Sequence, residues 1–257
     1  MATLNEIESY LDTLIPRALS CEWDNDGMMV CEDRTVGIKK VLFTLDVTPA
    51  AITRAEELGV DLIISHHPLI FKGIKHMDGA DTTSEKVIRL LRRGIAVMSF
   101  HTRLDCVKGG VNDILAADLG LTEVTPFDTE DGPVGRIGTL NTEMTLEAFC
   151  LHVKKTLGAP ALHASKGKPT VRRVAVLGGA GRDYVGDAMA AGADAYLTGE
   201  ANYHSLMDAA ELGFSVITAG HDFTERHFFA FFENTLCKSF PEITCYRHAE
   251  ENTLFHV

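Results

Sequence analysis

The chain has 257 residues, 46% of them hydrophobic and 23% charged, with a formal charge of −12 at pH 7. That length can bury a sizeable core as one large or two smaller domains. The acidic balance argues against unspecific nucleic-acid binding, which depends on a basic surface. The start, Met1 to Glu6, lacks the basic and apolar regions of a secretory signal, and no apolar run approaches the ~20 residues of a membrane helix, so a cytoplasmic protein without membrane contact is expected. Six cysteines (21, 31, 106, 150, 237, 245) make no CxxC pair and no zinc-finger spacing. They read as reduced, mostly buried thiols, and metal ligands must be sought elsewhere.

In chain order, Thr3 and Glu6 form a capping box, and Leu4, Ile7, Leu11 and Leu14 repeat at helical spacing until Pro16. A strand is predicted over 41–45. Thr48 and Pro49 then open a helix that closes at Gly59. A second buried strand covers 62–64, an amphipathic helix 84–93 and a third strand 95–98. The order then recurs: strand 171–177, helix 182–191, strand 195–197, helix 203–212 and strand 214–218. This alternation indicates crossover units, an α/β protein with mainly parallel sheets and helix-covered faces. The acidic, turn-rich stretch 123–133 is the candidate linker, dividing the chain into halves at 1–122 and 134–257.

The repeat is visible in residues. Val41 to Ser65 aligns without a gap on Val174 to Thr198, so that Gly59-Val60-Asp61 matches Gly192-Ala193-Asp194. Each copy continues through a helix and a strand to a histidine with an acid four positions later: His101 with Asp105, and His221 with Glu225. An internal duplication that delivers one such pair from each half suggests a pseudo-symmetric arrangement around a shared site.

His66 and His67 follow a buried strand directly and precede Pro68. Ligands gather at the carboxyl ends of parallel strands, where loops present side chains freely. Taken alone, the pair fits equally well two histidines with separate hydrogen-bond partners. His101 and His221 also follow strands, and on a helix His221 and Glu225 fall one turn apart on one face. Together these segments favour a shared site over separate structural roles, at one metal centre or two neighbouring ones.

The segments Ile64 to Phe71, His101 to Asp105 and Ala219 to Arg226 resemble the GTP cyclohydrolase 1 type 2 homologues, also called the Ngg-interacting-factor-three-like family. So do Trp23 to Gly27 and Leu197 to His204. The resemblance implies two intertwined three-layer α/β/α halves, a homohexameric ring and a dinuclear site. It makes His66, His67, Asp105, His221 and Glu225 the metal ligands, with Glu225 bridging, and places His101 at the lining of the site. The family's label implies opening of the purine ring of GTP. Met28-Met29 departs from the Leu-Gln expected after the Asp-Asn-x-Gly motif, and the chain is too short for the domain that some members insert between their halves.

Three imidazoles and two carboxylates suit two divalent ions per chain, of zinc, iron, nickel or manganese, and the absence of thiolates argues against copper(I) and iron–sulfur. Two such ions about 4 Å apart would make hydroxide available near neutral pH, which is the case for hydrolysis of a small phosphorylated or heterocyclic metabolite. His101, Glu200 and His204 are the candidates for proton transfer or for supporting a ligand. The alternative is a non-catalytic metal-binding or partner-binding scaffold. Gly178-Gly179-Ala180-Gly181 lacks nucleotide-loop spacing and reads as a tight turn between strand and helix. Lys72, Lys75, Arg103 and Arg226 could bind a phosphate, although solvated surface roles suit each. The cluster of Phe228, Phe229, Phe231 and Phe232 reads as core or subunit contact.

Overall fold

Helix α1 (Leu4–Leu14) begins as its sequence dictates. The Thr3 hydroxyl accepts from the Glu6 amide and the Glu6 carboxylate accepts the Thr3 N–H at 2.8 Å, a complete capping box. This computed structural model describes residues 1–248. Strands β1 (Gly27–Val30) and β2 (Lys40–Thr44) follow. Helix α2 (Pro49–Leu58) is capped by Thr48 and ended by Gly59 at φ 62°, a left-handed conformation that suits glycine. Next come β3 (Leu62–Ser65), α3 (Thr82–Arg93), β4 (Ala96–Ser99) and α4 (Thr102–Cys106). Helix α3 starts ahead of Ser84 because Asp81 caps it, accepting from the Thr83 and Ser84 amides.

At Lys108 the chain enters a second unit. Its elements are α5 (Val111–Asp118), β5 (Leu121–Thr129), β6 (Gly132–Thr145), α6 (Leu146–Leu157), β7 (His163–Ala164) and β8 (Thr170–Leu177). Then come α7 (Val185–Ala190), β9 (Ala195–Thr198), α8 (Tyr203–Glu211), β10 (Ser215–Thr218) and α9 (His221–Glu225). From Phe228 the chain rejoins the first unit through α10 (Phe229–Asn234), α11 (Leu236–Ser239) and β11 (Thr244–Arg247).

This division differs from halves at 1–122 and 134–257. The stretch 123–133 is no linker: it lies in the antiparallel β5–β6 ribbon, where Phe127 pairs with Gly135 and Thr129 with Gly132. A Cβ on Gly135 would stand 2.2 Å from the Phe127 ring, so the glycine makes room for that side chain. The polar composition belongs to a ribbon with many exposed positions. Cysteine usage also differs from expectation. Cys237 in α11 and Cys245 in β11 are joined as a disulfide, whereas Cys21 and Cys106 are buried and Cys31 and Cys150 half-buried, all four outside any disulfide.

The first unit's sheet runs in the order β1-β4-β3-β2-β11, and the second unit's in the order β5-β6-β8-β9-β10-β7. Within these, β2, β3 and β4 are parallel neighbours, and so are β8, β9 and β10. Even the register repeats, with Val41 opposite Leu62 in one sheet and Val174 opposite Ala195 in the other. Asp61 and Asp194 hold equivalent posts. Asp61 accepts from the Lys39 and Lys40 amides at 2.7 and 2.9 Å, and Asp194 from the Arg172 and Arg173 amides at 3.1 and 2.8 Å. Each carboxylate satisfies two consecutive backbone donors of the neighbouring segment. This is a duplicated α/β fold down to its hydrogen bonds.

Both units cover their sheets with helices. In the first, Leu42, Ile63 and Val97 pack with Ile52 and Ala55 of α2 and Val87 and Leu90 of α3. The ring of Phe43 stacks instead on Phe232 of α10 at 5.3 Å, which makes the phenylalanine cluster a core element. In the second unit, Phe149, Val153 and Leu157 of α6 pack with Val174, Val176 and Leu197, while α7 contacts β9 and α8 contacts β10. Strands covered on both faces read as continuous apolar runs, as β3 and β9 do.

Candidate metal centre

The carboxyl ends of β3 and β4 bring three imidazoles together in the first unit. His66 and His67 leave β3 directly, and His101 follows β4 after Phe100. Ring centroids lie 5.2 Å apart for His66 and His67, 5.4 Å for His66 and His101, and 5.7 Å for His67 and His101. His66, His67 and His101 can each direct one nitrogen to a common point that would hold a metal ion. The His66 ring is buried and its Nε2 is 3.6 Å from an Asp105 carboxylate oxygen, one turn of α4 beyond His101.

The opposite edge of each ring is anchored. His66 Nδ1 lies 2.8 Å from the Phe100 carbonyl, His67 Nδ1 lies 2.8 Å from Asp46, and His101 Nδ1 lies 2.8 Å from Asp24. Carbonyl and carboxylate oxygens only accept, so each Nδ1 carries a proton and a metal would be met by the opposite, Nε2 edge of each ring. Fixing tautomer and orientation from behind is how proteins prepare imidazoles as metal ligands. The donor set therefore fits a divalent ion.

Asp24 precedes β1, which pairs antiparallel with β4 through Gly27 and Ser99. That pairing carries the start of β1 to the carboxyl end of β4. The Asp24 side chain is buried and also accepts from the Thr102 amide at 3.1 Å and the Thr102 hydroxyl at 2.6 Å. Burial alone would raise its carboxyl above the usual range. The hydrogen bonds from His101 and Thr102 outweigh burial and bring it down to about 2.

In the second unit, His221 and Glu225 lie one turn apart on α9, with His221 Nε2 3.1 Å from the Glu225 carboxylate. His221 Nδ1 lies 3.4 Å from Glu200, which is mostly exposed. Glycines shape the space around the pair. At Gly179 (φ 67°) a Cβ would stand 2.2 Å from a Glu225 carboxylate oxygen and 3.1 Å from His221 Nε2. A Cβ on Gly199 would meet the His221 Cα at 2.8 Å. The glycine-rich turn after β8 is thus a tight turn against Glu225. Its amides are engaged within the protein, Gly178 donating to Asn112 at 2.8 Å and Gly179 to the Thr224 hydroxyl at 3.0 Å. A cavity of about 260 Å³, lined in part by Pro160, Ala161, His163 and Phe223, opens beside Glu200.

The other candidates divide. His204 stands exposed in the first turn of α8 beside Tyr203, outside the histidine and acid groups found among the described residues. Arg103 has neither a phosphate-binding nor a surface role. It is fully buried, with its guanidinium on Asp12 at 2.6 Å, on Asp26 at 2.9 Å and over the Phe100 ring at 4.4 Å. Arg226 pairs with Asp222 at 3.3 Å and covers the Phe223 ring, and Lys72 and Lys75 are exposed. Met28 and Met29 lie in β1, where Met29 packs against the core. Sequence reasoning missed Asp46 and the role of Asp24. A usable signal was their position, one just past the end of β2 and one just before β1.

The Duf34/NIF3 (NGG1p interacting factor 3) family matches residues 2–252. The chain belongs to the NIF3 family. Among its relatives is a GTP cyclohydrolase 1 type 2 homolog of Clostridium perfringens, 36% identical over 224 residues, which cover 85% of each chain. Another of that description, from Methanocaldococcus jannaschii, is 34% identical over 226 residues, covering 86% of this chain and 88% of the other. Solved structures agree on the NIF3 fold. A hypothetical protein of Staphylococcus aureus superposes with a TM-score of 0.91 at 25% identity, covering 99% of both chains. Reduced HcgD from Methanocaldococcus jannaschii superposes with a TM-score of 0.83 at 30% identity, covering 96% of this chain and 97% of that one. No helix among the described residues is long and apolar enough to cross a membrane.

Proposed function

We propose that the chain is a metal-dependent hydrolase of a small phosphorylated or heterocyclic metabolite, and that His66, His67, Asp105, His221 and Glu225 would together hold one dinuclear centre. The observation that carries this reading is the anchoring of His66 and His67 at Nδ1, which leaves metal binding to the opposite, Nε2 edge of each ring. Nitrogen and carboxylate donors suit zinc, iron, nickel or manganese. Such ions would polarise the substrate and lower the pKa of water.

The chain's own residues supply the rest. Asp24 holds the His101 proton at Nδ1, so Nε2 is the atom at which His101 accepts a proton during the reaction. Glu200 orients His221 through its Nδ1 and faces solvent, a position suited to proton exchange with water. The cavity beside Glu200 fits a small ligand. By family resemblance the working form is a homohexamer, which adds subunit contacts without changing these roles.

The test is an activity screen on protein purified anaerobically with its metal content measured. Hydrolysis of a phosphoester or cyclic amide, lost in His101→Ala while the metal is kept, is the expected result. Full metal occupancy with no turnover across that screen contradicts the proposal and favours the non-catalytic scaffold.

A further inference from the structure

We infer that Trp23 and Phe71 form an aromatic clamp that holds a flat conjugated ring of the substrate beside His101. This deepens the hydrolase reading and rests on it. Trp23 is 51% and Phe71 47% exposed, a large apolar area to leave in water. Singly exposed apolar residues need no explanation, but these two meet each other, with ring centroids 6.2 Å apart. Each also meets the His101 ring, Trp23 at 6.1 Å and Phe71 at 6.4 Å, both edge to face. A ligand seated on either ring therefore lies next to an imidazole of the candidate metal centre.

The clamp is held from both sides. Trp23 adjoins Asp24, which is fixed by His101 and Thr102. The Asn25 side chain donates to the Ile70 carbonyl, tying the segment that carries Trp23 to the one that carries Phe71. Rings carried on tethered segments lose little freedom when a ligand binds. An exposed π-face takes any flat ring, whatever its hydrogen-bonding edges, and a saturated ring of the same size gains much less. The pair thus selects for planarity, while the metal centre selects for the bond to be cleaved.

Trp23 is the sole tryptophan of the chain, so its fluorescence reports on this place alone. Metal-loaded protein is titrated with nicotinate and adenosine, and with nipecotate as the saturated control. The expected result is saturable quenching by an aromatic probe and none by nipecotate. Phe71→Leu, read by fluorescence, and Trp23→Leu, read by calorimetry, should each weaken aromatic binding roughly tenfold with metal content unchanged. Equal affinity for nipecotate, no quenching by either aromatic probe, or unchanged affinity in both variants overturns the clamp. Unchanged affinity with an altered assembly mass assigns the pair to a subunit contact and overturns it as well. Aromatic binding by a chain that takes up no metal supports the clamp while overturning the hydrolase reading, so the two can fail separately.

Discussion

His101 donates its Nδ1 proton to Asp24 across 2.8 Å, and the same carboxylate accepts the amide and hydroxyl protons of Thr102. One buried acid thus fixes both the tautomer of the histidine and the first turn of α4. Asp24→Asn keeps the shape but offers a single acceptor oxygen. Turnover is expected to fall roughly 10–100-fold with the metal retained, and stability by about 1–3 kcal/mol. Asp46→Asn, at a half-exposed acid with one ring to orient, should lower metal affinity with a smaller loss of stability. Turnover, competition with a chelator and urea unfolding separate these effects.

Gly179→Ala tests the space around Glu225. Its Cβ would stand 2.2 Å from the carboxylate at φ 67°, so clash adds to backbone strain. Gly192→Ala has φ 80° and nothing within 4 Å, which isolates the strain. The control is expected to lose about 1 kcal/mol. Gly179→Ala should lose distinctly more stability and also bound metal, as read by thermal unfolding and elemental analysis.

Arg103→Met removes one member of a buried ion cluster and leaves Asp26 nearly enclosed without its cation. A loss of about 3–5 kcal/mol is expected in denaturant unfolding. Arg103→Lys should not restore it, because one ammonium cannot bond Asp12, Asp26 and the Ile15 carbonyl in the geometry of a guanidinium.

Asp194 gives a prediction for pH. Partial burial raises its carboxyl, but the Arg173 amide, Lys168 and the Arg172 amide prevail and hold it below the usual 3.8. A carboxyl lowered on folding contributes its full stability above the unfolded value and loses it as pH falls through the folded one. Asp194→Asn should therefore cost about 1 kcal/mol at neutral pH and progressively less below pH 3.8. Unfolding of the two proteins across that range checks the sign.

Much of this was legible in the sequence because local chemistry decided it. The Thr3–Glu6 box, the Thr48-Pro49 start and Gly59 stop of α2, and the paired Gly-x-Asp segments specify their structures from adjacent residues. The duplication could be read for the same reason, since both copies keep a parallel register over matching residues. What escaped notice depends on distant partners. Arg103 reads as a surface cation until Asp12, 91 positions away, closes on it. Strands β1 and β11 are four residues each, too short to show periodicity, and are defined by pairing with β4 and β2. In the β5–β6 ribbon, exposed polar positions resemble a linker until the ladder is formed. The ligand candidates stood out because strand ends present them, whereas Asp24 and Asp46 act from behind the rings and carry no motif of their own.

Metal stoichiometry tests the central claim most directly. Elemental analysis of the purified chain, of His66→Ala in the first unit and of Glu225→Ala in the second is the decisive comparison. If the five ligands serve one dinuclear centre, the unsubstituted chain holds two divalent ions and either substitution depletes both. A folded chain with no bound metal, or one in which each substitution removes an ion independently of the other, contradicts it.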